Sequence, residues 1–229
     1  MFNIYPLAPD YTLQVCASFE THPAVSARVD EIWAEEQKKT GNRLTNGTIY
    51  SLFDHCAAHL RIQPAEYRHV LARRRAPELA DAGLGIRPLA VTGILLCADG
   101  LVLGRRSNQV ASDTGLWEPA PAGGLSRPDA VAQLLEELRE EVGLEPSQVI
   151  LRDACGLVED VESGVIDIVF RLDSTASARE VRGTHAARAT NEYAELAIVP
   201  RSEIAGFLEI NEARLLPALR PMLGLVGLL

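Results

Sequence analysis

Four carboxylates crowd two turns of one segment: Glu136, Glu137, Glu140 and Glu141. The segment reads as a helix. Ser126 can cap it, Pro128 suits its first turn, Asp129 can answer both the cap and the dipole, and Gly143 supplies a stop. Val131, Leu134, Leu135, Leu138 and Val142 recur at helical spacing, so they are expected on the buried face and the glutamates on the other. As plain surface this is an awkward arrangement. Glu136 with Glu140, Glu137 with Glu141 and Glu137 with Glu140 are like-charge neighbours, each costing roughly 0.2–0.5 kcal/mol. They lie where the helix dipole favours cations, and only Arg139 is interleaved to relieve them. A divalent ion would remove the conflict, and Mg²⁺ prefers a few carboxylates completed by water and phosphate oxygens. The alternative is an ordinary solvated acidic face.

Other groups could support phosphate chemistry. Arg105 and Arg106 end a strand-like run, where a guanidinium fork could grip a phosphate in bidentate fashion. Neighbours on a strand point to opposite faces, so one of the two is expected to face a site; the alternative is a surface pair. Trp117 would wall that site or belong to the core. The five histidines form no ligand spacing. Cys16, Cys56, Cys97 and Cys155 lack a zinc-clasping pattern and read as buried reduced thiols. Arg73, Arg74 and Arg75 read as a solvated helix end.

These groups need elements to hold them. Residues 90–105 form a hairpin: two apolar strands around Ala98, Asp99 and Gly100, with the Asp-Gly pair as its turn signal. A Gly- and Pro-rich loop, 117–124, leads into the acidic helix, and strands are expected at 149–158 and 165–172. A polar loop over 173–190, a strand near 196–199 and closing helices complete this half. In the first half, strands are expected at 4–7, 11–17, 48–53 and 56–62 and helices at 24–39 and 64–75, with Pro64 in the first turn of the latter. Residues 76–88 read as a linker, dividing the chain into an N-terminal α/β domain, 1–88, and a second domain, 89–229. The order of strands and helices implies an α/β (α+β) fold with a mixed sheet between helices.

The 229 residues are 47% hydrophobic and carry a formal net charge of −9. That balance disfavours a nucleic-acid partner and points to a small-molecule substrate. No apolar run reaches the roughly 18 residues a membrane span needs, and the opening lacks the pattern of a secretory leader, so no membrane association and a cytoplasmic location are expected.

The segment Glu137-Leu138-Arg139-Glu140-Glu141-Val142-Gly143-Leu144, preceded by Pro121-Ala122-Gly123-Gly124, resembles the Nudix box, G-x5-E-x7-R-E-U-x-E-E-x-G-U with U a bulky apolar residue. The resemblance implies the Nudix fold over residues 89–208 and a divalent ion, Mg²⁺ or alternatively Mn²⁺, on Glu137, Glu140 and Glu141. It places Gly123 and Gly124 at the substrate. It also suggests Glu192 or Glu195, ahead of a later strand, as the base. Two departures stand out. Glu136 occupies the position of the box's Arg, and Gly124 precedes Glu140 by two residues fewer than in the family pattern, so Asp129 or Glu136 would supply the remaining acidic group.

The first half is similar to the N-terminal domain of a Nudix subgroup that hydrolyses UDP-glucose and UDP-galactose, through Ile32-Trp33, Asn46-Gly47-Thr48-Ile49-Tyr50-Ser51-Leu52-Phe53 and Tyr67-Arg68. That subgroup also lacks the box Arg. The resemblance implies a diphosphatase (pyrophosphohydrolase) that cleaves a nucleotide sugar to UMP and a sugar 1-phosphate, with the first domain as a wall of the site and a homodimer left open. The competing expectations are ADP-ribose, dinucleotides, coenzyme A or oxidised nucleotides as substrates, or a non-catalytic nucleotide-binding regulator.

Overall fold

The computed structural model describes residues 1–110, 112–187 and 192–229. Its central strand is β5 (Leu89–Cys97), apolar along nearly its whole length and buried on both faces. A run of that kind needs neighbours on both edges and layers above and below. β5 is antiparallel to β6 (Gly100–Arg106) and parallel to β10 (Ile166–Ser174); β10 is antiparallel to β9 (Val149–Asp160). At the outer edges lie β1 (Phe2–Tyr5) on β9 and β11 (Tyr193–Val199) on β6. Alternate residues feed two cores. Leu89, Val91 and Leu95 face α3 (Ala130–Glu137), whereas Ile94 and Leu96 meet α5 (Ile204–Ile210) and α6 (Leu219–Leu225). The mixed sheet between helices is therefore as expected.

One irregularity positions the site. β5 and β6 pair only beside their turn, through Leu96 with Leu101 and Cys97 with Gly100. Beyond that they diverge: the short β7 (Trp117–Pro119) takes the freed edge of β6, and β8 (Ala122–Gly124) takes that of β5. A fork opens between them. The turn residues are Ala98 and Asp99, and Asp99 Oδ2 accepts the backbone N–H of Ala178 (2.5 Å) at the start of α4 (Ala178–Ala186). Gly100 follows with φ 155°, and a Cβ there would stand 2.1 Å from the Val199 carbonyl oxygen.

The first half contributes a second, three-stranded sheet of β2 (Thr12–Val15), β4 (His59–Glu66) and β3 (Thr48–Cys56), with α1 (Pro23–Thr40) and α2 (Tyr67–Arg75). Pro64 belongs to β4 rather than to a helix. β2 pairs β4 only as far as Ile62, so the missing N–H of Pro64 interrupts no ladder on that side. α2 begins instead at Tyr67, through a reciprocal cap between Glu66 and His69. The stretch 76–88 is no exposed linker, because Leu79, Leu84 and Ile86 are buried against Val25, Val29 and Ile32 of α1. β1 crosses the expected boundary to join the large sheet, where Asn3, Tyr5 and Arg87 all donate to the Glu159 carboxylate. β3 also meets the second half: Tyr50 N–H bonds the Leu125 carbonyl and Leu52 N–H that of Arg87.

Two further expectations change, that of the polar loop and that of the buried thiols. The polar loop contains α4, capped reciprocally by Ser177 and Glu180, and residues 188–190 of that loop lie outside the described residues. Of the four thiols, all free, only Cys97 is buried; Cys56 is exposed. Among the described residues no helix is long and apolar enough to cross a membrane.

The contrast between two glycines checks this packing. Gly100→Ala should destabilise the chain by about 2 kcal/mol or more, since its Cβ has nowhere to go. Gly206→Ala, in α5 with nothing within 4 Å of the new methyl group, should stabilise by up to about 1 kcal/mol. Urea midpoints of the two variants measure both.

Candidate functional site

The acidic helix departs from its expected form at both ends. Asp129 is the cap, its Oδ1 accepting from Ala132 N–H (2.9 Å). Ser126 turns inward instead and donates to Gln133 Oε1 (2.8 Å). Val131, expected inside, is 38% exposed, and the buried place is taken by Gln133. After Glu137 the regular helix gives way to a π turn, Leu138–Val142, which Gly143 ends with φ 81°. A wider turn rotates each residue by less than the α-helix's 100°. Glu141 therefore falls closer to the line of Glu137, and Glu140 farther from it. The four glutamates do not share an outer face: Glu141 is 4% exposed, Glu137 and Glu136 are half-buried, and Glu140 is exposed.

Each inward carboxylate has its own setting. Glu141 Oε2 accepts from Ala122 N–H (2.9 Å) and the Tyr193 hydroxyl (3.3 Å). Glu137 Oε1 accepts from Gln133 Nε2 (2.7 Å), and the carboxyl rests on Gly123, where a Cβ would stand 2.2 Å from it. That close approach is the reason for glycine at 123; Gly124 has no such neighbour. A third buried carboxylate, Glu118 of β7, pairs with Arg106 (2.6 Å), and Arg106 also meets Glu192 (3.0 Å). Burial pushes both Glu118 and Glu137 up to about 7. Burial first, and the Glu137 charge second, holds Glu141 well above the ordinary carboxylate range.

Glu118, Glu137, Glu141, Glu192 and Arg106 line one cavity of about 720 Å³ in the fork of the sheet, with Gly123 and Gly124 at its wall. Ile49, Tyr67, Val70 and Arg74 of the first half line it too. The remaining sequence candidates lie elsewhere. Arg105 and Glu195 pair with each other (2.5 Å) at the surface, Glu136 pairs with Arg127, and Glu140 is absent from the cavity wall. Trp117 is core, edge-on to Phe207 with ring centroids 5.4 Å apart. The arginine triplet is not uniformly solvated: Arg73 holds the Ile86 carbonyl, Arg74 reaches Ser112 Oγ (3.0 Å) at the cavity, and Arg75 pairs with the buried Glu36 (2.8 Å).

Sequence reasoning missed Glu118, Arg74 and Asp167. Asp167 also lines the cavity and accepts from the Thr92 hydroxyl (2.7 Å). For Glu118 a signal existed, a charge inside the apolar stretch Trp117-Glu118-Pro119-Ala120. Such a residue needs a buried cation, which Arg106 provides.

The donor set suits a hard cation: Glu137 and Glu141 offer oxygen only, are partly stripped of water, and repel one another. Among the described residues no three His, Cys, Asp or Glu side chains form a ready ion cage.

No family model matches this chain, and no curated protein matches it. Among solved structures it is similar to the MutT protein of Methanosarcina mazei Go1, at 20% identity and a TM-score of 0.41 over 52% of this chain and 80% of that one. It is similar to a C. elegans Ap4A hydrolase in a binary complex, at 13% identity and a TM-score of 0.45 over 61% and 95%. It is likewise similar to the Nudix domain of Shewanella oneidensis NrtR complexed with ADP ribose, at 14% identity and a TM-score of 0.44 over 66% and 95%.

Proposed function

We propose that this chain is a Mg²⁺-dependent Nudix-type diphosphatase that hydrolyses a nucleoside diphosphate joined to a second moiety, foremost a nucleotide sugar such as UDP-glucose, to UMP and a sugar 1-phosphate. The observation that carries the reading is the pair Glu137 and Glu141: two desolvated carboxylates from one helix that face a cavity large enough for such a substrate. Glu137 and Glu141 would hold the ion, and the exposed Glu140 would act through water. When bound, Mg²⁺ would neutralise bridging phosphate charge and lower the pKa of water.

The chain's own groups do the rest. Gln133 aims Glu137; Ala122 N–H and Tyr193 aim Glu141. Arg106 is the cation a phosphate oxygen meets at the wall, steadied by Glu118. Of Glu192 and Glu195, the latter inside β11, Glu192 is the one at the cavity, where it can take the proton of an attacking water. Residues 1–88, as a separate domain or not, would supply the wall that chooses the moiety beyond the diphosphate, through Ile49, Tyr67, Val70 and Arg74.

The substrate test compares kcat/KM for UDP-glucose, ADP-ribose and dGTP with Mg²⁺ present. UDP-glucose should lead; equal values or a preference for dGTP would defeat the nucleotide-sugar assignment. Glu137→Gln and Glu141→Gln should each lower turnover of UDP-glucose about 100-fold or more, and Glu140→Gln about 10-fold. Near-normal kinetics in the first two would remove the ion from this helix.

Stability should track the same carboxylates. Their protonated forms are favoured in the folded chain, Glu137 to about 7 against 4.5 when unfolded. The folded state then binds more protons between those values, so metal-free stability falls as pH rises from about 4.5 to 7. Mg²⁺ should restore it at pH 7 to 8 by binding the ionised pair. Thermal melts across that range, with Mg²⁺ or with a chelator, measure it, and a chelator-insensitive melting temperature would contradict the site.

A further inference from the structure

The sheet brings another carboxylate, Asp167, to the cavity wall on a strand other than those that hold the glutamates. Gly124, Ala90 and Asp167 stand in register on β8, β5 and β10, and all three line the cavity. Residues in register on neighbouring strands share a face. Two strand spacings separate Asp167 from β8, about 10 Å, and β8 is the strand against which Glu137 rests. One Asp167 oxygen, Oδ1, is engaged by the buried Thr92 hydroxyl (2.7 Å), which fixes the carboxyl's orientation. No described side chain or backbone group donates to the other.

Among the described residues no cationic side chain bonds this group. Burial pushes it up to about 6, the Thr92 bond opposes that rise, and the like charge of Asp160 adds to it. Asp160 itself is occupied, accepting from Glu162 N–H (3.1 Å) and Ser163 Oγ (2.8 Å) in its turn. A half-buried carboxylate with one oxygen fixed by Thr92 and the other left open on a cavity wall is a ready acceptor for a ligand's donor.

We propose that Asp167 is a specificity-determining residue that accepts a hydrogen bond from a hydroxyl of a sugar joined directly to the diphosphate. The separation selects the sugar. With the diphosphate at Glu137 and Glu141, the two strand spacings to Asp167 are about the reach of one sugar ring beyond the phosphorus. The surroundings suit a hydroxyl donor: Ala90 and Val165 share this stretch of the cavity wall, and its other polar groups, Asp160 and Ser163, are bonded to each other. The inference rests on the diphosphatase reading for the location of the phosphates.

The test uses UDP-glucose and analogues that each lack one hydroxyl of the ribose or the glucose. Hydrolysis with Mg²⁺ and binding with Ca²⁺, by calorimetry, are measured on the native chain, Asp167→Ala and Asp167→Asn. In the native chain one analogue should bind about 10- to 100-fold more weakly than UDP-glucose. In Asp167→Ala that difference should vanish, while the ratios for all other analogues persist. Asp167→Asn, which keeps an acceptor oxygen and the Thr92 bond, should retain part of it. An equal loss for every analogue, no change for any, or no binding of any nucleotide sugar would each overturn the assignment. Hydrolysis failing while the binding pattern holds would sink the diphosphatase reading and leave Asp167 as the sugar-reading residue.

Discussion

Taking the Glu141 carboxylate out of water sets the terms for much of the architecture around it. A buried acceptor requires donors, and those donors come from opposite limbs of the fork: the Ala122 N–H on the β5 limb and the Tyr193 hydroxyl on the β6 limb. Each donor imposes its own condition. The Tyr193 ring lies over β6 only because position 104 is glycine, where a Cβ would stand 2.5 Å from the ring. The Ala122 N–H is presented by a strand only three residues long, held by β5. On the helix side, Glu141 reaches these donors through the π turn, whose end at Gly143 passes so close to Thr184 that a Cβ would meet its carbonyl oxygen at 2.7 Å. His185 adds a ring N–H to the Glu141 carbonyl (2.7 Å). Three small residues and two aromatic side chains thus serve one carboxylate.

The same arrangement explains why the cavity is acidic without being simply repulsive. Glu118 and Glu192 share Arg106, whereas among the described residues no cation pairs with Glu137 or Glu141. The surplus is local and directed at the cavity. It differs in kind from the outward acidic groups: Glu136 has Arg127, Glu195 has Arg105, and both pairs are solvated. Exposed pairs of that sort contribute little to stability.

How much of this could be read from the sequence depended on the range of the interactions. The hairpin followed from a local Asp-Gly signal, and α3 from its apolar period and Gly143. The capping box at Ser177 and Glu180 was equally local and would have revealed α4 inside the expected loop. The π turn left no comparable trace, because a change in hydrogen-bond spacing alters which face Glu140 and Glu141 occupy without altering the residues. The partners of Asp167 and Glu118 depend on strand register, and β1 pairs with residues more than 150 positions away, Phe2 with Asp160. Separations of that size are invisible to any window. Pro64 misled for a related reason: its place in β4 is tolerated only because β2 stops short of it.

The end of α2 has a mechanical consequence. Three consecutive residues on a helix point in three directions, roughly 100° apart, and Arg73, Arg74 and Arg75 are each anchored to a different body: the backbone at Ile86, the loop at Ser112 and the α1 helix at Glu36. A helix end tied down along three bearings resists rotation about its own axis far better than one tied along a single bearing. The last turn of α2 therefore ties the Ser112 loop on the cavity wall, the Ile86 backbone and α1 to one short stretch of helix.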